Sequence, residues 1–327
     1  MRRSGERPAA VGFDTSNYRT SAAAVAADGE LLVNHRELLP VSEGERGLRQ
    51  SEAVFAHVKQ LRDCSEALRR AAEEGMRIVC VAASVRPRDG DDSYMPVFQV
   101  GHTAGATLAA ALNVPFYETT HQRGHLAAAA RGTVLEGRDS MLALHLSGGT
   151  TDLLSVSGGR IEQIGGSADL HAGQLVDRAG VAMGLPFPSG EALESLAVKG
   201  QSSGKLGCSM ENDGLVCHLS GAEAAVRRWI RAGAPCPEDI ASEIYDFLSR
   251  TVIRMLTAGS EKTGQRQALV TGGVASSALL RSLLEERRAK TRGCPELVFG
   301  KPEMSGDNAV GVALTGLKKY LEEEHDC

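Results

Sequence analysis

The chain has 327 residues, 42% apolar and 24% charged, which excludes a disordered polyelectrolyte and fits a globular protein of about two domains. Lysine and arginine total 36 against 41 aspartates and glutamates, so the net charge of −5 gives no support to an RNA-gripping surface of the chain's own. No apolar run approaches the roughly 18 residues of a membrane span, and seven scattered cysteines without a C-x-x-C pair argue against a thiolate zinc site or a disulfide framework and for a cytoplasmic setting.

Residues 1–9 read as a short basic tail, with no apolar segment behind Met1 to Pro8 to make a secretory signal. Residues 10–34 read as a hairpin turning at Asp28-Gly29. A helix is expected between Gly47 and Gly75, with Val54, Phe55, Val58, Leu61 and Leu68 at helical spacing, then a buried strand over 77–84. The segment VRPRDGDDSYMPVF (85–98) has no period and many turn formers, so it reads as a long loop; loops of that length in compact domains often serve function. Thr103–Leu112 reads as a helix, 113–119 as a strand, and 121–130 as the next helix.

From Met141 the plan of the first hairpin returns: strand, Ser147-Gly148-Gly149-Thr150 loop, strand, Gly158-Gly159 turn, strand. Two such segments about 130 residues apart suggest a duplicated lobe, or a chance likeness of two hairpins. Helices follow at 172–183, 189–199, 222–232 and 237–259, with 201–214 expected as a mobile Gly/Ser loop. A strand at 267–273, a helix capped by Ser276 or Ser277, a strand at 296–302 and a closing helix at 308–324 complete an α/β alternation. The expected organisation is a tail (1–9), lobe I (10–136), lobe II (137–308) and a closing C-terminal helix (309–327).

Several groupings can carry chemistry. His121 and His125 lie four apart and share a helix face, so two imidazoles can meet one metal; the plain alternative is an incidental pair. Gln122 follows the first histidine, so the metalloprotease pattern H-E-x-x-H is broken. Asp307, at the start of a helix, is a candidate third ligand. Three loops of small residues end strands: Asp14-Thr15-Ser16, Ser147 to Thr151, and Thr271-Gly272-Gly273-Val274. Such loops let backbone amides approach phosphate, or simply make tight turns. Asp169, Gly173 and Asp177 are read at helical spacing, as nucleoside or metal contacts or as a solvated face.

Taken together, these motifs resemble the tRNA threonylcarbamoyl transferases, once labelled O-sialoglycoprotein endopeptidases, of the actin/Hsp70/sugar-kinase superfamily. The carrying segments are GFDTSNYRTS, Ala56-His57-Val58, NVPFYETTHQRGHL, LSGGTTDLLSVSG, DLHAGQLVDRAGVAMGLPFPSG, LVTGGVASSALLR and SGDNAVGVAL, in the family's order from Val11 to Gly316. The resemblance implies a two-lobed actin-like ATPase (ASKHA) fold with a central nucleotide and metal cleft. It implies one divalent metal, iron or zinc, on His121, His125 and Asp307. It places an adenine nucleotide, ATP or an acyl adenylate, against Ser147, Gly148, Gly149, Thr150, Asp169, Gly173, Asp177, Gly272, Gly273 and Ser277, with Asp14 where the family has a catalytic glutamate. The implied partners are tRNA, reached through partner proteins, and a homo- or hetero-oligomer.

The sequence also departs from the family. The 85–98 segment replaces a Gly-Pro-Gly-Leu loop; with Arg86, Arg88 and Tyr94 it is an acceptor-loop candidate, or a surface loop with compensating charges. The histidine of S-G-G-H-T is missing, and Leu170, Gln174, Glu223 and Ser277 stand where the family has Asp, Glu, Lys and Asn. These changes point to a divergent paralogue. Three readings follow: an acyltransferase with altered substrate or reduced activity, a non-catalytic nucleotide- and metal-binding scaffold, and, last, a metallopeptidase.

Overall fold

Strands β1 (Arg7–Asp14), β2 (Arg19–Ala26) and β3 (Leu31–Leu38) form an antiparallel meander in the computed structural model, which describes residues 6–16, 18–40, 48–90 and 94–325. Residues 7–9 therefore belong to the sheet and not to a tail; 1–5 lie outside the described residues. Gly29 takes a φ of 87° at the Asp28-Gly29 turn, as the hairpin requires. Helix α1 (Gln50–Glu73), strand β4 (Met76–Arg86), helix α2 (Pro96–Leu112), strand β5 (Phe116–Thr120) and helix α3 (His121–Ala130) follow. The sheet order is β3-β2-β1-β4-β5, with β4 parallel to both β1 and β5. The C-terminal helix α9 (Val310–His325) completes this unit, so Asp307 belongs with the N-terminal sheet and not with the 137–308 stretch.

Two expectations change here. The buried face of α1 is Ala53, His57, Gln60, Cys64, Leu68 and Ala71, while Phe55 and Val58 are exposed. Apolar spacing misled because two polar residues on the buried face find partners inside: Thr20 Oγ1 lies 2.8 Å from His57 Nδ1 and donates to Gln60 Oε1 at 2.6 Å. The 85–98 loop is also shorter than expected, because β4 runs on to Arg86 and α2 starts at Pro96, a residue suited to the first helical position. Residues 91–93 of that loop lie outside the described residues.

The second unit, Gly132–Ser305, repeats the plan. Strands β6 (Ser140–Leu146), β7 (Thr151–Ser157) and β8 (Arg160–Ser167) form the meander. Then come α4 (Ala172–Ala182), α5 (Gly190–Ala197), β9 (Ser209–Glu211), β10 (Val216–His218), α6 (Ser220–Ala232), α7 (Pro237–Thr263), β11 (Gln267–Thr271), α8 (Ala278–Lys290) and β12 (Glu296–Phe299). The order β12-β11-β6-β7-β8-β10-β9 contains the first sheet's topology as β8-β7-β6-β11-β12, with β11 parallel to β6 and β12. Helix α7 supplies the buried Ile244, Phe247, Leu248, Met255 and Leu256 to its core.

The 201–214 stretch is not a free loop. Glu243, 2% exposed on α7, accepts from the amides of Ser203, Gly204 and Leu206 and from the hydroxyls of Ser202 and Ser203, at 2.7–3.1 Å. Composition misled because the loop's fastening residue lies some 40 positions away in sequence. Among the described residues no helix is long and apolar enough to cross a membrane.

Candidate active site

In the first unit, β5 leads straight into α3, and the Thr120 hydroxyl caps that helix by accepting from the Arg123 amide. His121 and His125 then share one face, a turn apart. Helix α9 meets α3 closely because both carry glycine at the crossing: a Cβ on Gly311 would lie 1.7 Å from Gly124 O. Asn308 closes the turn ahead of α9, accepting from the Val310 amide at 3.0 Å and donating to Gly306 O at 2.7 Å. This turn presents Asp307 to the two imidazoles.

Nε2 of His121 lies 2.9 Å from Nε2 of His125, and Asp307 Oδ1 lies 3.1 Å from His125 Nε2 and 3.5 Å from His121 Nε2. Among the described residues these three form the one group of possible metal ligands, their donor atoms all within 4.8 Å of each other. Ligands 2.0–2.1 Å from a tetrahedral zinc stand about 3.3 Å apart, so the spacing fits one first-row ion. Two imidazole nitrogens and one carboxylate oxygen also suit zinc or iron(II).

Asp14 ends β1 buried behind this cluster. Its Oδ2 lies 2.9 Å from His121 Nδ1 and accepts from Ser16 Oγ at 3.1 Å, and its Oδ1 accepts from Ser84 Oγ on β4. A proton held on His121 Nδ1 by a carboxylate leaves the Nε2 lone pair facing the cluster, as in carboxylate–histidine–metal triads. Burial pushes the Asp14 carboxyl up, but with His121 protonated its charge and hydrogen bond, with the Ser84 hydroxyl, outweigh it and hold the group at about 2. Burial opposes charge on Asp307 as well; the bond from His125 and the charge on His121 keep it below the usual carboxylate range. Ser16 belongs to a loop singled out in the sequence as a phosphate approach or a tight turn, and here it bonds Asp14 instead; Ser84 escaped the sequence reading, for an isolated serine on a strand carries no spacing signal. His57, central in its motif, is not one of the three donors: it is fully buried, bonded to Thr20, and burial lowers it to about 4 against the opposing pull of the Asp14 charge.

In the second unit, the ends of the parallel strands β6 and β11 carry the two glycine loops. Ser147 N donates to Thr150 O at 2.8 Å, Gly173 N donates to Ser147 O at 3.0 Å, and Thr151 Oγ1 accepts from Ala172 N at 2.9 Å. A Cβ on Gly173 would fall 2.6 Å from Gly148 N, so only glycine lets the α4 N-terminus sit on this loop. Gly272 takes a φ of 105° beside Leu146 O. The structure thus brings Ser147, Gly148, Gly173 and Gly272 together at strand C-termini, where open α/β sheets hold ligands. Gly148, Gly149 and Gly273 have open space where a Cβ would stand.

Other nucleotide candidates are engaged locally. Helix α4 starts at Ala172, so Asp169 is not on its face; Asp169 accepts from the amides of Leu170, Leu219 and Ser220 and from the Ser220 hydroxyl. Asp177 does lie on α4, and its Oδ1 accepts from Ser189 N at 2.8 Å. Ser277 caps α8, accepting from Leu280 N at 3.1 Å. The departures have local roles too: Leu170 is core, Gln174 accepts from the His171 amide at the start of α4, and Glu223 pairs with Arg227. In the 86–95 stretch, Arg86 and Arg88 are exposed, as is Tyr94, while Asp89 pairs with Arg123 on α3 and accepts from Thr120 Oγ1.

Residues 51–314 match the family described as tRNA N6-adenosine threonylcarbamoyltransferase. The chain belongs to this family. A member from Methanopyrus kandleri is 30% identical over 318 residues, 96% of this chain and 88% of that protein. One from Thermococcus gammatolerans is 27% identical over 298 residues, 91% and 87% of the two chains. Both carry the name tRNA N6-adenosine threonylcarbamoyltransferase. The ROK hexokinase of Thermus thermophilus, at 18% identity, matches with a TM-score of 0.53 over 97% of this chain and 99% of its own. That likeness shows the actin-like ATPase fold, in agreement with the repeated sheet topology.

Proposed function

We propose that the chain is a metal-dependent transferase that moves a threonylcarbamoyl group from its adenylate to the N6 of a tRNA adenosine. The observation that carries this reading is the three-donor cluster of His121, His125 and Asp307 in a chain of this family. These residues hold one divalent ion, iron or zinc, and the bound ion supplies Lewis-acid polarisation of a carbonyl or phosphoryl oxygen. Asp14 is a positioning residue in this account: its oxygens, engaged by His121, Ser16 and Ser84, fix the His121 ring. The amides of Ser147–Gly149 and the start of α4 take phosphate, with Gly173 and Gly272 permitting the approach. In the transfer, the carbonyl carbon loses its bond to the adenylate phosphate oxygen, AMP leaves with that electron pair, and the carbon gains a bond to N6, whose proton passes to the departing phosphate or to water. Partner proteins add RNA-binding surface to a chain of net charge −5. The test is mass spectrometry of tRNA nucleosides after incubation with threonylcarbamoyl adenylate: N6-threonylcarbamoyladenosine appears with the native chain and not with His125→Ala.

The engagement of Asp169, Asp177 and Ser277 in local hydrogen bonds favours one second reading, a scaffold that binds metal without transferring. Metal bound to the native chain, with no product in the same assay when partner proteins are supplied, identifies the scaffold.

A further inference from the structure

Helices α4 and α6 of the second unit border a groove of about 460 Å³ that the proposed chemistry does not use. Its floor and wall are Val181, Ile230 and Phe187; its rim carries Arg178 from α4 and Arg227 and Arg231 from α6. Arg227 and Arg231 lie one turn apart, so both guanidinium groups reach the same edge. Arg227 pairs with Glu223, whereas the side chains of Arg178 and Arg231 make no ion pair or hydrogen bond among the described residues. The acidic group at the groove, Asp177, is engaged with the Ser189 amide. Phe187 is 75% exposed in a chain where aromatics are 4% of residues, so its face is left open beside three cations.

We propose that this groove binds one unstacked nucleotide of a single-stranded RNA segment, its base against Phe187 and its flanking phosphates on Arg178 and Arg231. The proposal rests on the reading of the chain as a tRNA-modifying transferase and adds a contact surface to it. An aromatic face beside guanidinium groups is how proteins hold splayed bases and their backbone. Charge complementarity selects a polyanion, and the volume is that of a small-ligand pocket, which admits a base but no duplex.

The test uses the full chain and fluorescence anisotropy with a labelled single-stranded oligoribonucleotide of about 12 nucleotides, and with unmodified tRNA. Arg178→Ala/Arg231→Ala is expected to weaken binding about tenfold and to flatten the slope of log affinity against log salt by about 1.4, two phosphates' worth. Phe187→Ala is expected to weaken binding about tenfold with the slope kept, and Phe187→Trp to restore it. All these side chains are exposed, and an unchanged circular dichroism spectrum and melting temperature certify each variant as folded. Unchanged RNA affinity in every variant overturns the proposal, and so does loss of binding to poly-glutamate with RNA affinity kept, which makes the groove an acidic-protein surface. If the native chain modifies tRNA and the variants bind RNA as it does, the groove alone fails. If no modified adenosine forms while the variants still lose RNA affinity, the transferase reading fails and the groove stands.

Discussion

Asp14 is the residue on which the local account turns. Its two oxygens are shared among His121, Ser16 and Ser84, and it has no exposed face. Asp14→Asn removes the carboxylate that orients His121, so metal affinity measured by chelator competition should fall about tenfold to a hundredfold, the usual effect of losing such a partner. Asp14→Glu should also weaken the metal, because the extra methylene must fit between Ser84 and His121; wild-type affinity in both variants would remove Asp14 from the site. The histidine pair was legible from its spacing. The partners of Asp14, expected as a catalytic carboxylate, were not, because only the fold brings His121, Ser16 and Ser84 to its oxygens. Asp169 illustrates the same limit: burial raises its pKa, but the Ser220 hydroxyl and the amides of Leu219, Leu170 and Ser220 bring it from 3.8 to about 2. Its folded-state value lies below its unfolded one, so the stability it contributes is complete above about pH 4 and is lost as pH falls towards 2. Melting curves of wild type and Asp169→Asn should differ by a constant amount at pH 5–7 and converge across that acid window; a gap that persists unchanged at pH 2 contradicts this role.

At the scale of elements, two devices stand out, one that positions a metal ligand and one that fastens a loop. The first is the close crossing of α3 and α9. Gly311→Ala puts a methyl into the Gly124 carbonyl, and overpacking of this kind costs about 1–3 kcal/mol. Because the crossing carries Asp307 to the histidines, metal affinity should drop with stability, whereas a clash remote from the site would change stability alone. Equilibrium unfolding and metal titration of the same variant separate the two. The second is Glu243, which fastens residues 202–206 through five hydrogen bonds. Glu243→Ala leaves those donors without their acceptor, so limited proteolysis should cut at Lys205 sooner than in the native chain; equal cutting rates would show that the loop holds itself. Helix and strand types were readable from apolar period and turn residues. The misread face of α1 and the supposed mobility of 201–214 share one cause: polar residues satisfied by distant partners look exposed in a sequence.

The molecule as a whole repeats one sheet order in two units, β3-β2-β1-β4-β5 and β8-β7-β6-β11-β12. The repeat was visible in the sequence as two strand–small loop–strand–glycine turn patterns, Asp14 to Ser16 following the first strand and Ser147 to Thr150 the second. The short strands β9 and β10 were not visible, since three-residue strands carry too little period. In each unit the end of the meander's first strand and the polar loop after it hold candidate residues: Asp14 and Ser16 behind the histidines, Ser147 and Gly148 under α4. The central claim is that transfer depends on an ion held by His121, His125 and Asp307. The most direct measurement titrates metal-free protein with zinc or iron(II) while N6-threonylcarbamoyladenosine formation on tRNA is followed with partner proteins present. Activity should rise in proportion to added ion, saturate at about one per chain, and fail to appear in Asp307→Ala. Full activity of the metal-free protein, or of that variant, would contradict the account.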